Sequence, residues 1–261
     1  MYVIKADGTK EKFQEEKIIN TCLRAGVDRD VADEIVEVIK RAVKNLATTH
    51  EIYKLILDEL EKRKDKSALS FPLREAISNM NPEKFEIYVK KVLEQHGYDC
   101  DWNEIVEGEC IEHQVDIIAK RDRLFLVECK HHVNHHRFCG LGIVLQVQAR
   151  FEDIIDNPKA SYKFDQAWVI TNTKFSDHAK IYASKKNIRL SGWRYQNEHA
   201  LEEMIQSKKI YPITILKTDD KTKRILMQNN ILTIQDVIST KKKIINESMM
   251  KKLIEQARLL I

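Results

Sequence analysis

Apolar positions in the first 80 residues recur with a helical period. Ile18, Ile19, Cys22 and Leu23 form one stripe, and Val31, Ile35, Val38, Ile39 and Val43 form a second. Thr48 or Thr49 stands as an N-cap ahead of Ile52, Leu55, Ile56 and Leu60, which predicts a third helix. A further helix is predicted over 70–77, after a polar stretch at 62–67 that reads as a linker or turn. At the start of the chain, Asp7-Gly8 separates two short β-prone runs, the signal of a hairpin over 1–12.

The pattern changes at Asn81. Pro82 falls in the first turn of a helix whose stripe is Phe85, Val89, Val92 and Leu93, and Gly97 stops it. Strands are predicted at 98–106, 115–119, 124–129, 166–171 and 188–190, with helices at 140–155 and 176–186. This alternation predicts an α/β sheet. Beyond residue 210 come short helices, 218–229, 233–239 and 247–260. The fold class is therefore multidomain, α/β and α, divided as 1–80, 81–207 and 208–261.

Composition narrows the picture. The 261 residues are 43% hydrophobic and 32% charged, which excludes a disordered chain. No apolar run approaches the ~20 residues of a membrane helix, so no membrane partner is expected. Met1-Tyr2-Val3-Ile4-Lys5 is no signal core, and a cytoplasmic location is expected. The 5 cysteines form no CxxC pair, so they read as reduced thiols. The net charge of +4 hides an asymmetry: residues 208–261 hold 12 Lys+Arg against 5 Asp+Glu, the preceding 207 hold 32 against 35. A basic end suits a phosphate-bearing partner; a solvated lysine face on a helical domain accounts for it equally well.

The most informative chemistry is at Asp116, Glu128 and Lys130. Glu128 and Lys130 are two apart on one strand and share a face, and an adjacent strand can bring Asp116 beside Glu128. Two close carboxylates repel, and a hard divalent cation relieves the repulsion. Mg²⁺ suits such a pair, with the carbonyl of Cys129 as a further ligand, and Lys130 is placed to stabilise a phosphate in transition. Charged groups directly after Leu124-Phe125-Leu126-Val127 need a reason to end a buried strand. Gln146 and Arg150, four apart on the next helix, share a face that reads either as a phosphate contact or as exposed surface. His131, His132, His135 and His136 invite a zinc reading, although a loop contacting nucleic acid fits their setting better.

The stretch 81–193 resembles the PD-(D/E)XK nuclease fold in its Mrr-type restriction endonuclease branch. The resemblance is carried by Phe85-Glu86, Gly97-Tyr98, Val115-Asp116-Ile117-Ile118, Val127-Glu128-Cys129-Lys130, Phe175-Ser176-Asp177-His178-Ala179 and Ile188-Arg189-Leu190. It implies a mixed sheet, metal-dependent cleavage of DNA, Asp116 and Glu128 as metal ligands, Lys130 as the catalytic lysine and Glu86 as an outer acid. Residues 1–80 resemble the ATP-cone, a regulatory domain of ribonucleotide reductases, through Val3-Ile4-Lys5-x-Asp7-Gly8, Glu11-x-Phe13, Lys17-Ile18 and Thr48-Thr49-x-Glu51-Ile52. That resemblance implies a short hairpin plus helices binding ATP or dATP through Val3, Lys5, Glu11, Gln14, Lys17 and Thr49. Ala6 stands where the family has Arg. No GxxxxGK[ST] loop occurs, so ATP hydrolysis is not implied.

Residues 208–261 loosely resemble the helix-hairpin-helix or SAM-like domains that grip the DNA backbone, with Asn230 at the usual glycine and Lys241-Lys242-Lys243 as phosphate contacts. Assembly through Leu253, Ile254, Ala257 and Leu260 is the competing use of that segment. Together these features predict an Mg²⁺-dependent DNA endonuclease controlled by a nucleotide effector, a homo-oligomer of two or more copies, serving in restriction or antiviral defence. The alternatives are a nucleotide-responsive DNA-binding regulator with an inactive nuclease fold and a zinc-stabilised interaction protein.

Overall fold

The structure, a computed structural model, describes residues 1–63, 65, 67–195 and 199–261. Lys64 and Lys66, within the stretch expected as a linker, therefore lie outside the described residues. The chain divides into two compact units, Met1–Leu73 and Arg74–Leu259.

In the first unit, β1 (Tyr2–Ile4) and β2 (Lys10–Lys12) form the expected hairpin, with Val3 opposite Glu11. Gly8 supplies the positive φ of 82° that the turn needs, and Asp7 accepts hydrogen bonds from the amide and hydroxyl of Thr9. A third strand, β3 (Ala47–Thr48), runs parallel to β1. Helices α1 (Glu15–Arg24), α2 (Arg29–Ala42), α3 (Thr49–Lys62) and α4 (Ser67–Ser70) pack around the strands. Thr48 caps α3 and completes a capping box with Glu51. The α2 stripe differs from expectation. Its buried face is Ala32, Ile35, Val36 and Ile39, and Val38 falls outside it, because a helical arc through Ile35 and Ile39 takes in 32 and 36 rather than 38.

The helix expected over 70–77 is broken. α4 ends at Ser70 and α5 (Leu73–Ser78) begins after Pro72, whose ring and missing N–H do not continue a helix. In the second unit α6 (Pro82–Gln95) is capped by Asn81 and ends before Gly97 at φ 81°. The sheet follows with β4 (Asp99–Glu107), β5 (Glu112–Lys120) and β6 (Leu124–Lys130). β7 (Phe138–Cys139), α7 (Leu141–Asp156), β8 (Gln166–Thr171), β9 (Lys174–Phe175), α8 (Asp177–Lys185) and β10 (Arg189–Ser191) follow, β7 and β9 forming a separate parallel pair. The main sheet has the order β10-β8-β6-β5-β4: β4, β5 and β6 are antiparallel neighbours, and β6, β8 and β10 run parallel. Phe85, Tyr88, Leu126 and Trp168 are among its fully buried side chains.

The C-terminal helices are α9 (Leu201–Ser207), α10 (Asp220–Gln228), α11 (Ile234–Ser239) and α12 (Glu247–Leu260). Between α10 and α11, Asn230 adopts φ 58° as a hairpin residue should. This segment packs within the second unit: the Tyr88 hydroxyl donates to Ile210 O at 2.6 Å and Lys91 pairs with Asp236 at 3.0 Å. Leu253 and Ala257 are fully buried in the single chain, so that stripe is core rather than a free assembly surface.

One side chain anchors the turn between β4 and β5. Asp153 on α7 accepts from Cys110 N at 2.9 Å, Ile111 N at 3.3 Å and His113 Nε2 at 2.7 Å. The Cys110 thiol and then His113 hold its carboxyl well below the usual carboxylate range. A Cβ at Gly108 would press into Asp153 Oδ2. Gly108→Ala is therefore expected to lower stability by about 1–3 kcal/mol, read by urea unfolding; an unchanged midpoint would show that the turn is not held this way.

Candidate functional site

The β5–β6 pairing is last recorded at Ile117 and Val127, and one step further places Asp116 beside Glu128. There the two strands part, and the Cys129 amide donates to Asp116 Oδ2 at 2.7 Å. Glu128 accepts from Arg150 of α7 at 2.5 Å. Glu86 of α6 accepts from Trp102 Nε1 of β4 at 3.3 Å. Lys130 is exposed at the end of β6. Asp116 thus feels the charges of both Glu128 and Glu86. Burial pushes the Asp116 carboxyl up to about 7, and the negative charges of Glu128 and Glu86 add to this against the Cys129 amide and Arg150. Burial and then Glu128 also raise Glu86, against the Trp102 hydrogen bond.

Partly buried carboxylates that repel one another make a hard, oxygen-rich donor set. It suits a divalent cation that keeps much of its water, as Mg²⁺ does. Among the described residues no group of three or more His, Cys, Asp or Glu is placed to hold a metal ion, so the carboxylate donors here are Asp116 and Glu128 without Glu86, and the histidine cluster forms no zinc cage. His131 instead donates from Nε2 to Ile77 O at 3.1 Å and lies against the Phe85 ring. Of the helix face singled out in the sequence, Arg150 reaches the centre and Gln146 is exposed. Trp102 was not anticipated; its place opposite Ile117 on the neighbouring strand brings it there, and nothing local to it signals this.

In the first unit three expected residues converge. Glu11, mostly shielded, pairs with Lys5 at 2.6 Å and with Lys17, while both lysines are largely exposed. Thr49, exposed, opens α3 directly after Thr48, which lies beside Ile4 on β1. Gln14 is the exposed residue at the start of α1 and Val3 is in the core. The result is two ammonium groups held by one carboxylate at the edge of the hairpin.

Comparison with known proteins agrees with these geometries. Residues 1–74 match the ATP cone domain family, and residues 77–193 match the restriction endonuclease family of the Mrr type. An uncharacterized protein of Archaeoglobus fulgidus is 38% identical over 150 residues, 57% of this chain and 83% of the relative. A second uncharacterized protein of that organism is 46% identical over 39 residues, 15% of this chain and 83% of the relative. The crystal structure of a protein of unknown function, AF1548, superimposes with a TM-score of 0.59 at 34% identity, covering 68% of this chain and 97% of that one. No helix among the described residues is long and apolar enough to cross a membrane. Residues 1–74 are thus an ATP cone domain and residues 77–193 a restriction endonuclease domain of the Mrr type, joined in that order on one chain.

Proposed function

We propose that this protein is a divalent-metal-dependent DNA endonuclease whose cleavage is controlled by ATP or dATP, serving in restriction or antiviral defence. The observation that carries the reading is the pairing of Asp116 with Glu128 at a site where burial raises Asp116 to about 7. Asp116, Glu128 and the Cys129 carbonyl are the residues that would hold Mg²⁺, which when bound supplies charge neutralisation on the scissile phosphate. Lys130 holds an ammonium where negative charge grows on the phosphate and orients the attacking water. Glu86 adds an acid whose carboxyl burial holds above the usual carboxylate range. Arg150 pairs with Glu128 and would supply a further positive charge to the phosphate. The exposed run Lys241-Lys242-Lys243 supplies backbone charge for DNA, and Lys5, Glu11, Lys17 and Thr49 supply the nucleotide site. Nucleotide-driven assembly of two or more copies is the route by which the first unit would gate cleavage.

A plasmid-nicking assay tests this. Cleavage is expected with Mg²⁺, none with chelator, and a change in rate with ATP or dATP. DNA binding without cleavage in Mg²⁺ or Mn²⁺ would overturn the nuclease reading and leave a nucleotide-responsive DNA-binding regulator.

A further inference from the structure

Immediately after Lys130 the main chain is held more tightly than a loop requires. Thr171 Oγ1 donates to Lys130 O at 2.6 Å. Asn172, fully buried, takes the next two positions: its Oδ1 accepts from His132 N at 2.9 Å and its Nδ2 donates to His132 O at 2.8 Å. One amide side chain thus pairs with both main-chain groups of His132, as a further strand would. The same Nδ2 reaches Ser78 Oγ at 3.2 Å. Ser78 ends α5, and α5 makes two more contacts to this segment: Ile77 O accepts from His131 Nε2 at 3.1 Å, and Arg74 donates to His135 O at 2.5 Å. Thr214 Oγ1, donating to Ala76 O at 2.6 Å, ties α5 to the C-terminal part of the unit.

The position of α5 in the chain gives these bonds meaning. It begins at Leu73, the last residue of the first unit, so any change in that unit's state that reaches the second along the backbone arrives at α5. The helix is only six residues long, yet it bonds to the Lys130 segment directly through Ile77 O and Arg74 and indirectly through Ser78 and the buried Asn172.

We propose that Asn172 and α5 form one clamp that positions Lys130, and that the clamp passes the nucleotide state of the first unit to the nuclease centre. The second half rests on residues 1–73 being a nucleotide site. In this arrangement Asn172, Ser78 and His131 are positioning residues; they fix the backbone from which Lys130 projects, and a small tilt of α5 is transmitted to it through rigid hydrogen bonds.

Hydrogen exchange of the full-length chain, read over residues 130–136 with and without ATP or dATP, tests this beside calorimetry and steady-state cleavage. Asn172→Ala should speed exchange of the His132 amide at least tenfold and lower kcat about tenfold to a hundredfold, with KM for DNA unchanged. Asn172→Asp, which keeps the acceptor for His132 N, should restore part of both. Ser78→Ala cuts only the link from Asn172 to α5. It should bind nucleotide as wild type does yet lose the nucleotide-driven change in exchange over 130–136. Wild-type exchange and kcat in a folded Asn172→Ala protein would overturn the clamp. Nucleotide binding to wild type without any change over 130–136 would overturn the transmission while leaving the nucleotide site intact. No nucleotide binding at all would refute the nucleotide site and the transmission together. The comparison of Asn172→Ala with wild type needs neither nucleotide nor cleavage and decides the clamp in every case.

Discussion

Metal-free protein carrying Asp116→Asn is expected to unfold at a higher temperature than wild type above pH 7, and the same variant given Mg²⁺ to lose nearly all DNA cleavage. The folded-state carboxyl titrates at about 7 against an ordinary 3.8, chiefly because it is buried and then because Glu128 lies beside it. The folded chain therefore holds a proton that the unfolded chain releases. The stability this proton contributes is complete below about 3.8 and is lost as pH rises to about 7. Above that, an ionised Asp116 costs folding on the order of 2–4 kcal/mol. Asparagine keeps the acceptor for the Cys129 amide and presents an amide rather than a charge to Glu128. The stabilisation should thus be largest at pH 8 and vanish towards pH 4. All 3 tryptophans, Trp102, Trp168 and Trp193, lie in the second unit, so their fluorescence reports its melting directly. Added Mg²⁺ should raise the wild-type midpoint at pH 8, because a ligand of the folded state stabilises it, and leave the variant unmoved. Cleavage should fall at least ~10³-fold. An equal difference in midpoint at pH 5 and pH 8 would show that Asp116 is not strained by its surroundings.

Much of this site was legible from the chain because its signals are local. Asn81-Pro82, Gly97 and Thr48 with Glu51 mark helix ends through their own hydrogen-bonding and φ preferences, and each stands where the structure needs it. The strands carrying Asp116 and Glu128 announced themselves by dense apolar runs around a charged turn. What stayed hidden is long-range. β3, β7 and β9 are two residues each, and exist only because another strand pairs with them. The pairing of Arg150 with Glu128 spans 22 residues and that of Asn172 with His132 spans 40. No spacing rule reaches that far; only the folded sheet, which sets β8 beside β6, makes Asn172 a neighbour of the Lys130 segment. The histidine run divides once the backbone is placed: His131 turns to Ile77 O of α5, while the rings of His135 and His136 pack on each other.

Replacing both Lys5 and Lys17 by alanine is expected to abolish nucleotide binding at micromolar concentrations, while leaving DNA cleavage by the second unit in place. Each ammonium offers a triphosphate a charge-assisted hydrogen bond, and such bonds contribute about 1.5–3 kcal/mol, a tenfold to hundredfold change in affinity per lysine. Their present partner is Glu11, which pairs with both. A triphosphate entering between the lysines must take over bonds that Glu11 now makes, so the carboxylate acts both as organiser and as competitor. Glu11→Gln separates the two roles. The uncharged amide no longer neutralises the lysines, so inorganic triphosphate, which has neither base nor ribose, should bind several-fold more tightly to this variant than to wild type. ATP and dATP should gain less, or lose, because the resemblance places Glu11 itself among the residues that bind the nucleotide. Calorimetry of the three ligands against wild type, Glu11→Gln and the Lys5→Ala,Lys17→Ala double variant reads all of this at once. If triphosphate binds wild type and double variant alike, these two lysines are not the phosphate site. If the glutamine variant binds triphosphate no better than wild type, the Glu11 bridge is not what the phosphate displaces.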